Sequence, residues 1–183
     1  MQEIEEKKMY DFNMLISCPW SQYANAKKEI QCILKRLGEE KPLVTRTIAK
    51  GIIGVKTSQN PSDLIHAIQR MHIEDPTILQ YTSRWVPIQL WTYSDIDSMK
   101  KTVERLKIEI QTGEKWRITL EKRRFTKYHK IEIISNIAEL IDGKVDLKNP
   151  DKILHIDIIG KYAGISVLRP DDIFSISHVF RIS

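Results

Sequence analysis

The hydrophobic positions switch period along the chain, from two to about 3.6 and back, and that switching predicts the elements. Tyr10–Cys18 (YDFNMLISC) is mostly apolar and β-capable and ends at Pro19, which predicts a buried strand. Ser21 stands where an N-cap would open a helix to about Leu37, with Ala24, Ile30, Ile33, Leu34 and Leu37 on one face and Gly38 closing it. Leu43–Ile48 and Ile52–Thr57 flank Gly51 and predict a hairpin. Asn60-Pro61-Ser62 then opens a helix with Leu64, Ile65, Ile68 and Met71 inward, stopped by Pro76. Leu79–Tyr93 is a long β-capable run broken by Pro87, which cannot donate to a ladder, so the break marks an edge or a crossing between domains. The order is βαββαβ, a split-βαβ, ferredoxin-like unit.

The second half starts a new series. Ser94 or Asp95 caps a helix to about Ile110, with Met99, Val103, Leu106 and Ile110 aligned, and Thr112-Gly113 ends it. Lys115–Lys122 alternates: Trp116, Ile118 and Leu120 point one way, Arg117, Thr119 and Glu121 the other. A loop, Arg123–His129, leads to a helix over Lys130–Ile141 with Ile131, Ile134, Ile137, Ala138 and Ile141 as its stripe. Ile153–Ile159 and Ile165–Leu168 read as strands joined around Gly160–Gly164. The resulting expectation is an α+β chain with a mixed sheet in its second half. Its domains are expected over residues 1–93 and 94–176, with a tail over 177–183.

Composition narrows the class. In 183 residues, 42% hydrophobic and 29% charged positions are ordinary for a globular protein and too apolar for disorder. No apolar run reaches the ~18–20 residues of a membrane span, and acidic residues occupy the N-terminal stretch where a signal peptide would be apolar, so a cytoplasmic protein is expected. Cys18 and Cys32 have no CxxC spacing and are expected as buried free thiols.

Charge is concentrated. Residues 115–130 hold seven basic side chains against Glu121 alone, a local charge of +6, while the rest of the chain sums to −1. Such a stretch attracts polyanions, although a charge run is as readily a solvated surface. Arg117, Lys122, Arg123, Arg124, Lys127 and Lys130 are the candidate phosphate contacts, with Lys144, Lys148 and Lys161 behind them; Arg123 and Arg124 are treated as equivalent, removable without loss of stability. No Gly-rich phosphate loop occurs: Gly51-Ile-Ile-Gly54 is short and lacks a Lys-Ser/Thr ending. The five histidines fall in no zinc-ligand spacing, and His155, inside an apolar strand, is expected to be structural. No catalytic residue, metal or cofactor is assigned.

Three segments together resemble a known module: WRITLEKRR at Trp116–Arg124, AELIDGKVDLKNPD at Ala138–Asp151, and ILHIDIIGKYAGISVL at Ile153–Leu168. They are similar to the THUMP domain, an RNA-binding module of tRNA-modifying enzymes in which a ferredoxin-like domain precedes the THUMP domain. Thr82–Ile88 looks like the entry into it. The resemblance implies a grip on the acceptor stem and 3′ end of tRNA, with no small-molecule substrate. Asp146 and Asn149 are expected to shape their loop, and Tyr128 and His129 either to stack on a terminal base or to pack. With the sequence ending at Ser183, no room is expected for a catalytic domain. A stand-alone pair of this kind resembles the adaptors of tRNA cytidine acetylation, which implies a non-enzymatic partner of an RNA cytidine acetyltransferase forming N4-acetylcytidine. The alternatives are an RNA-binding subunit acting in trans for methylation or thiolation, an enzyme acting alone, and a protein-interaction module.

Overall fold

Strand order separates the chain into two sheets, each with its own core. The computed structural model describes residues 11–176; the expected tail over 177–183 lies outside them. Among the described residues, 11–87 with 171–176 form one unit and 88–170 the other.

The first unit holds β1 (Met14–Ser17), α1 (Tyr23–Arg36), β2 (Leu43–Arg46), β3 (Ile52–Lys56), α2 (Pro61–Glu74) and β4 (Arg84–Pro87). Its sheet runs β2-β3-β1-β4, every pair antiparallel, which is the ferredoxin-like order. A short strand, β9 (Phe174–Ser175), adds to the β4 edge. Helix α1 buries Ala26, Ile30, Ile33 and Leu34, so Ala24 lies outside the stripe and is exposed. A 3-10 turn, Trp20–Gln22, precedes α1 and no side chain caps it, so Ser21 is not its N-cap. Gly38, at φ 89°, ends it: Gly38 N–H donates to Lys35 O and Glu39 N–H to Leu34 O, the paired bonds of a Schellman stop. Asn60 caps α2 by accepting from Ser62 N and Asp63 N, with Pro61 in the first turn. Cys32, off the buried stripe of α1, is exposed and Cys18 is half-buried, contrary to the expectation for both thiols.

Pro87 marks a change of sheet. The run expected as one strand divides into β4 and β5 (Leu90–Tyr93), and β5 pairs with the second sheet. That sheet is completed by β6 (Trp116–Arg123), β7 (Lys152–Ile159) and β8 (Tyr162–Leu168), in the order β5-β8-β7-β6 with β6 and β7 parallel. It is therefore the expected mixed sheet. Gly164, expected in a loop, lies inside β8 opposite Trp91; a Cβ there would stand 2.9 Å from Ile88 and 3.2 Å from Trp91. The missing side chain permits that approach.

Helices α3 (Ile96–Leu106) and α4 (Lys130–Ala138) pack on one face of this sheet, where Met99, Val103, Ile133 and Ile137 meet Trp116, Leu120, Leu154 and Ile156. Asp95 caps α3 through Ser98 N at 2.8 Å. In α4 the buried stripe is Ile133 and Ile137, continued by Ile141 beyond the helix, and Ile131 is exposed. Isoleucine at positions 131, 133, 134 and 137 offers two stripes of equal spacing, and only the packing partner selects one. Among the described residues no helix is long and apolar enough to cross a membrane.

Candidate nucleic-acid interface

Parallel pairing of β6 with β7, followed by the turn at Gly160-Lys161, brings one set of cations to one end of the second sheet. Arg123 lies opposite Ile159, Gly160 N–H donates to Arg123 O at 3.0 Å, and Lys161 stands in the turn. The loop leaving β6 carries Arg124 and Lys127 and returns into α4 at Lys130. Helix α3 begins at the same end, since Tyr93 of β5 pairs with Tyr162 of β8 just before it. Arg124, Lys127, Lys130 and Lys161 are all exposed. Arg124 takes φ 54°, the left-handed region that L residues enter at a cost.

Packing anchors the loop. Phe125 and Tyr128 lie against the helix-side core with ring centroids 5.9 Å apart, and the Lys122 ammonium donates to Tyr128 O from the same side. Tyr128 is thus a half-buried packing residue, whereas His129 is exposed. The Lys127 ammonium lies 5.1 Å from the Tyr128 ring centre. A hydrogen bond to Tyr128 is the main cause that holds Lys127 above the ordinary lysine range, with the Asp95 carboxylate adding to it.

Of the nine sequence candidates, Arg123, Arg117 and Lys122 are held in place by partners that bind the fold together. Arg123 pairs with Asp157, whose side chain is 3% exposed. Asp157 Oδ2 lies 3.3 Å from His155 Nε2, and His155 Nδ1 lies 2.7 Å from Thr119 Oγ1. His155 is fully buried in this chain of polar groups, a structural histidine. Arg117 donates from Nη1 to Leu147 O at 2.8 Å, holding the segment after Gly143 to the strand. Lys122 is occupied as described. Lys130 has only a loose neighbour, Glu121 at 3.8 Å.

Lys144 and Lys148 lie at the opposite end of β6. Trp116 bridges Val145, Trp116 N–H donates to Lys144 O, and Asp146 N–H donates to Trp116 O. Asp146 organises this loop: its carboxylate accepts from Lys148 N, Asn149 N and the Lys115 ammonium. The Asn149 bond, then Lys115 and the Lys148 N–H, lower its pKa to about 2. Trp116 and Arg123 are the two ends of the eight-residue β6, about 23 Å apart along the extended chain.

Sequence reasoning missed Tyr93 and Tyr162, which meet at the cationic end with ring centroids 5.7 Å apart and Tyr93 57% exposed. Their approach depends on the β5–β8 register, which no local pattern reveals. It also missed a group in the first unit: His66 Nε2 lies 3.1 Å from Asp172 and 3.8 Å from Asp171, and the three ligand atoms fall within 4.8 Å of one another. Residues 105 positions apart escape a search by spacing. Asp171 is largely exposed, and the group reads as a polar contact between residues 171–172 and α2.

Residues 93–168 match the family model of the THUMP domain. No curated protein matches the sequence. Among solved structures, PH1313 from Pyrococcus horikoshii Ot3 superposes with a TM-score of 0.65 at 18% identity, over 89% of this chain and 55% of that one. TrmN from Thermus thermophilus gives 0.55 at 14%, over 86% and 46%. A 4-thiouridine synthetase, in a complex with RNA and bound ATP, gives 0.54 at 15%, over 90% and 42%. The chain spans about half the length of these proteins, and the likeness is one of fold.

Proposed function

We propose, from the THUMP domain over residues 93–168, that the chain binds folded RNA of the tRNA type through the cationic end of the second sheet. Arg124, Lys127, Lys130 and Lys161 are the phosphate contacts in this reading, and Tyr93 with Tyr162 flank them. The observation that carries it is coincidence in place: the matched segment contains all four cations, and strand register gathers them at one end. Phosphate contacts position an RNA without reading its sequence, and the A-form helix offers mainly its shape, phosphates and 2′-hydroxyls to a protein. A duplex such as the acceptor stem, ending in an unpaired 3′ segment, matches cations beside aromatic rings.

The chemistry in this proposal belongs to another polypeptide, and the chain serves as a non-catalytic adaptor. The pairing of a ferredoxin-like unit with a THUMP domain resembles the adaptors of tRNA cytidine acetylation, which favours an RNA cytidine acetyltransferase as that partner, with N4-acetylcytidine as product. A second reading, an RNA-binding subunit acting in trans for thiolation or methylation, is favoured by the structural likeness to the 4-thiouridine synthetase solved with RNA.

Three measurements test this. Filter binding with unmodified tRNA should show affinity that falls steeply as salt rises. Nucleoside mass spectrometry of tRNA from cells with and without the gene separates the readings: loss of acetylcytidine supports the adaptor of acetylation, and loss of a thiolated or methylated base supports the second. Turnover of tRNA by the purified chain with acetyl-CoA alone would overturn the non-catalytic assignment.

A further inference from the structure

We infer that the first unit carries a separate subsite for one unpaired nucleotide of RNA, built on Trp20; this rests on the reading that the chain binds RNA. Trp20 follows β1 and is 71% exposed, whereas Trp85 and Trp116 are buried and Trp91 half-buried. It borders a groove of about 270 Å³ that Tyr23, Arg46, Ile48 and Lys50 also line. That volume is below the usual range for cofactor pockets, roughly 300–1,000 Å³, and suits a single base with its ribose.

The chemistry of the lining selects the ligand. Arg46 lies 4.1 Å from the centre of the Tyr23 ring and Lys50 Nζ 5.5 Å from that of Trp20. No carboxylate lines the groove, and among the described residues neither cation has an acidic partner within 4.0 Å. Glu29, whose charge reaches the nearby Cys18, is committed elsewhere, accepting the N–H groups of Gln80, Tyr81 and Thr82. A flat exposed indole beside two uncompensated cations suits a base on the ring and a phosphate between the cations. An acidic or apolar protein segment would leave one of these features unused.

The walls are set before any ligand arrives. Cys18 N–H donates to Gly51 O at 2.9 Å, and a Cβ at Gly51, which stands at φ 78°, would meet Cys18 O at 2.7 Å. The Thr47 hydroxyl accepts from Ala49 N at 3.1 Å and donates to Ile52 O at 2.9 Å, closing the β2–β3 connection. The subsite therefore loses little ordering entropy on binding.

The test uses the full chain with two probes, a short oligoadenylate and a blunt RNA duplex closed by a stable loop. Oligoadenylate is expected to quench tryptophan emission, and Trp20→Phe to abolish that quench while keeping most of the affinity. Trp20→Ala should weaken oligoadenylate binding ~5- to ~100-fold, the range for loss of one base stack, and leave duplex binding unchanged. Arg124→Glu with Lys127→Glu should show the reverse. Unaltered oligoadenylate affinity and no quench in wild type, with the duplex still bound, overturns the subsite alone. Failure of wild type to bind either RNA overturns the RNA-binding reading itself. Loss of a protein partner from Trp20→Ala with oligoadenylate binding intact would assign the groove to that partner and overturn the inference.

Discussion

Arg123 and Asp157 form an ion pair on the face of the second sheet that looks away from α3 and α4. They come from the parallel neighbours β6 and β7, and Glu121, not Arg123, is the register partner of Asp157. The guanidinium thus reaches diagonally to a carboxylate that is almost wholly buried and also neighbours His155. A buried charge without a partner is costly, so Asp157 depends on Arg123 for as long as it is present.

Arg123→Ala is accordingly expected to destabilise the protein by about 3 kcal/mol, the scale for stranding one member of a buried pair. Urea unfolding followed by circular dichroism measures it. Replacing both residues by apolar side chains of similar volume should recover much of the loss. A midpoint unchanged in the single variant would show that Asp157 is satisfied without Arg123.

The neighbouring Arg124 behaves oppositely. Its backbone is left-handed and its side chain exposed, so Arg124→Gly removes the cation and relieves the conformation at once. Stability should stay within about 1 kcal/mol of wild type, the relief being offset by a freer unfolded chain. The salt slope of tRNA binding should fall by about 1 for the lost phosphate contact. An unchanged slope removes Arg124 from the interface.

The contrast between these adjacent arginines marks the limit of what the sequence discloses. Period and punctuation reveal β1 to β4 in their ferredoxin-like order, the helix start at Asn60, a cap at Ser94 or Asp95, and the alternation of Trp116, Ile118 and Leu120, because each is written within one element. The division of labour among the cations is not local. Whether an arginine faces a carboxylate depends on which residue the next parallel strand sets beside it, and β7 enters about thirty positions later. Gly164 looks like loop punctuation until β5 is paired with β8, and Ile131 like a core residue until α4 chooses between two equal stripes.

Asp146 supplies a pH test. Its folded pKa is about 2 against an ordinary 3.8, so between these values the unfolded chain binds more protons and stability rises with pH. The contribution is complete above about 3.8 and is lost as pH falls through 2. Carboxyl titration by NMR should find Asp146 ionised well below the ordinary aspartate value of 3.8, and Lys115→Ala should move it up. Asp146→Asn should lower stability at neutral pH and flatten its dependence between these limits. A titration at the ordinary value would mean the 144–151 loop is not held by this carboxylate.

Gly54 in β3 tests the first core. A Cβ there would lie 2.2 to 2.6 Å from the Phe12 ring, closer than any tolerated contact. Gly54→Ala is expected to cost about 1–3 kcal/mol in thermal or urea unfolding, as overpacking does. Adding Phe12→Leu, which shortens the obstructing side chain, should return part of that loss. Additive losses in the double variant would show that the strand tolerates no side chain at this position for another reason.

The two ends of β6 pose the last question, because either could meet RNA. Arg124, Lys127, Lys130 and Lys161 occupy one end, and Lys144 and Lys148 the other, about 23 Å away along the strand. The first group stands beside the starts of α3 and α4, whose N-termini favour negative charge, while the second sits on a loop that contains Asp142, Asp146 and Asp151. Charge reversal at Arg124 and Lys127 should therefore weaken tRNA binding at least ten-fold more than reversal at Lys144 and Lys148, each reversed cation removing a phosphate contact worth about one unit of salt slope. Filter binding across a salt series separates the outcomes. Equal losses would mean that the RNA lies along the strand and touches both ends, as a duplex longer than 23 Å can. A larger loss from the Lys144 and Lys148 pair would move the interface to the Asp146 loop and leave the cationic end without a role.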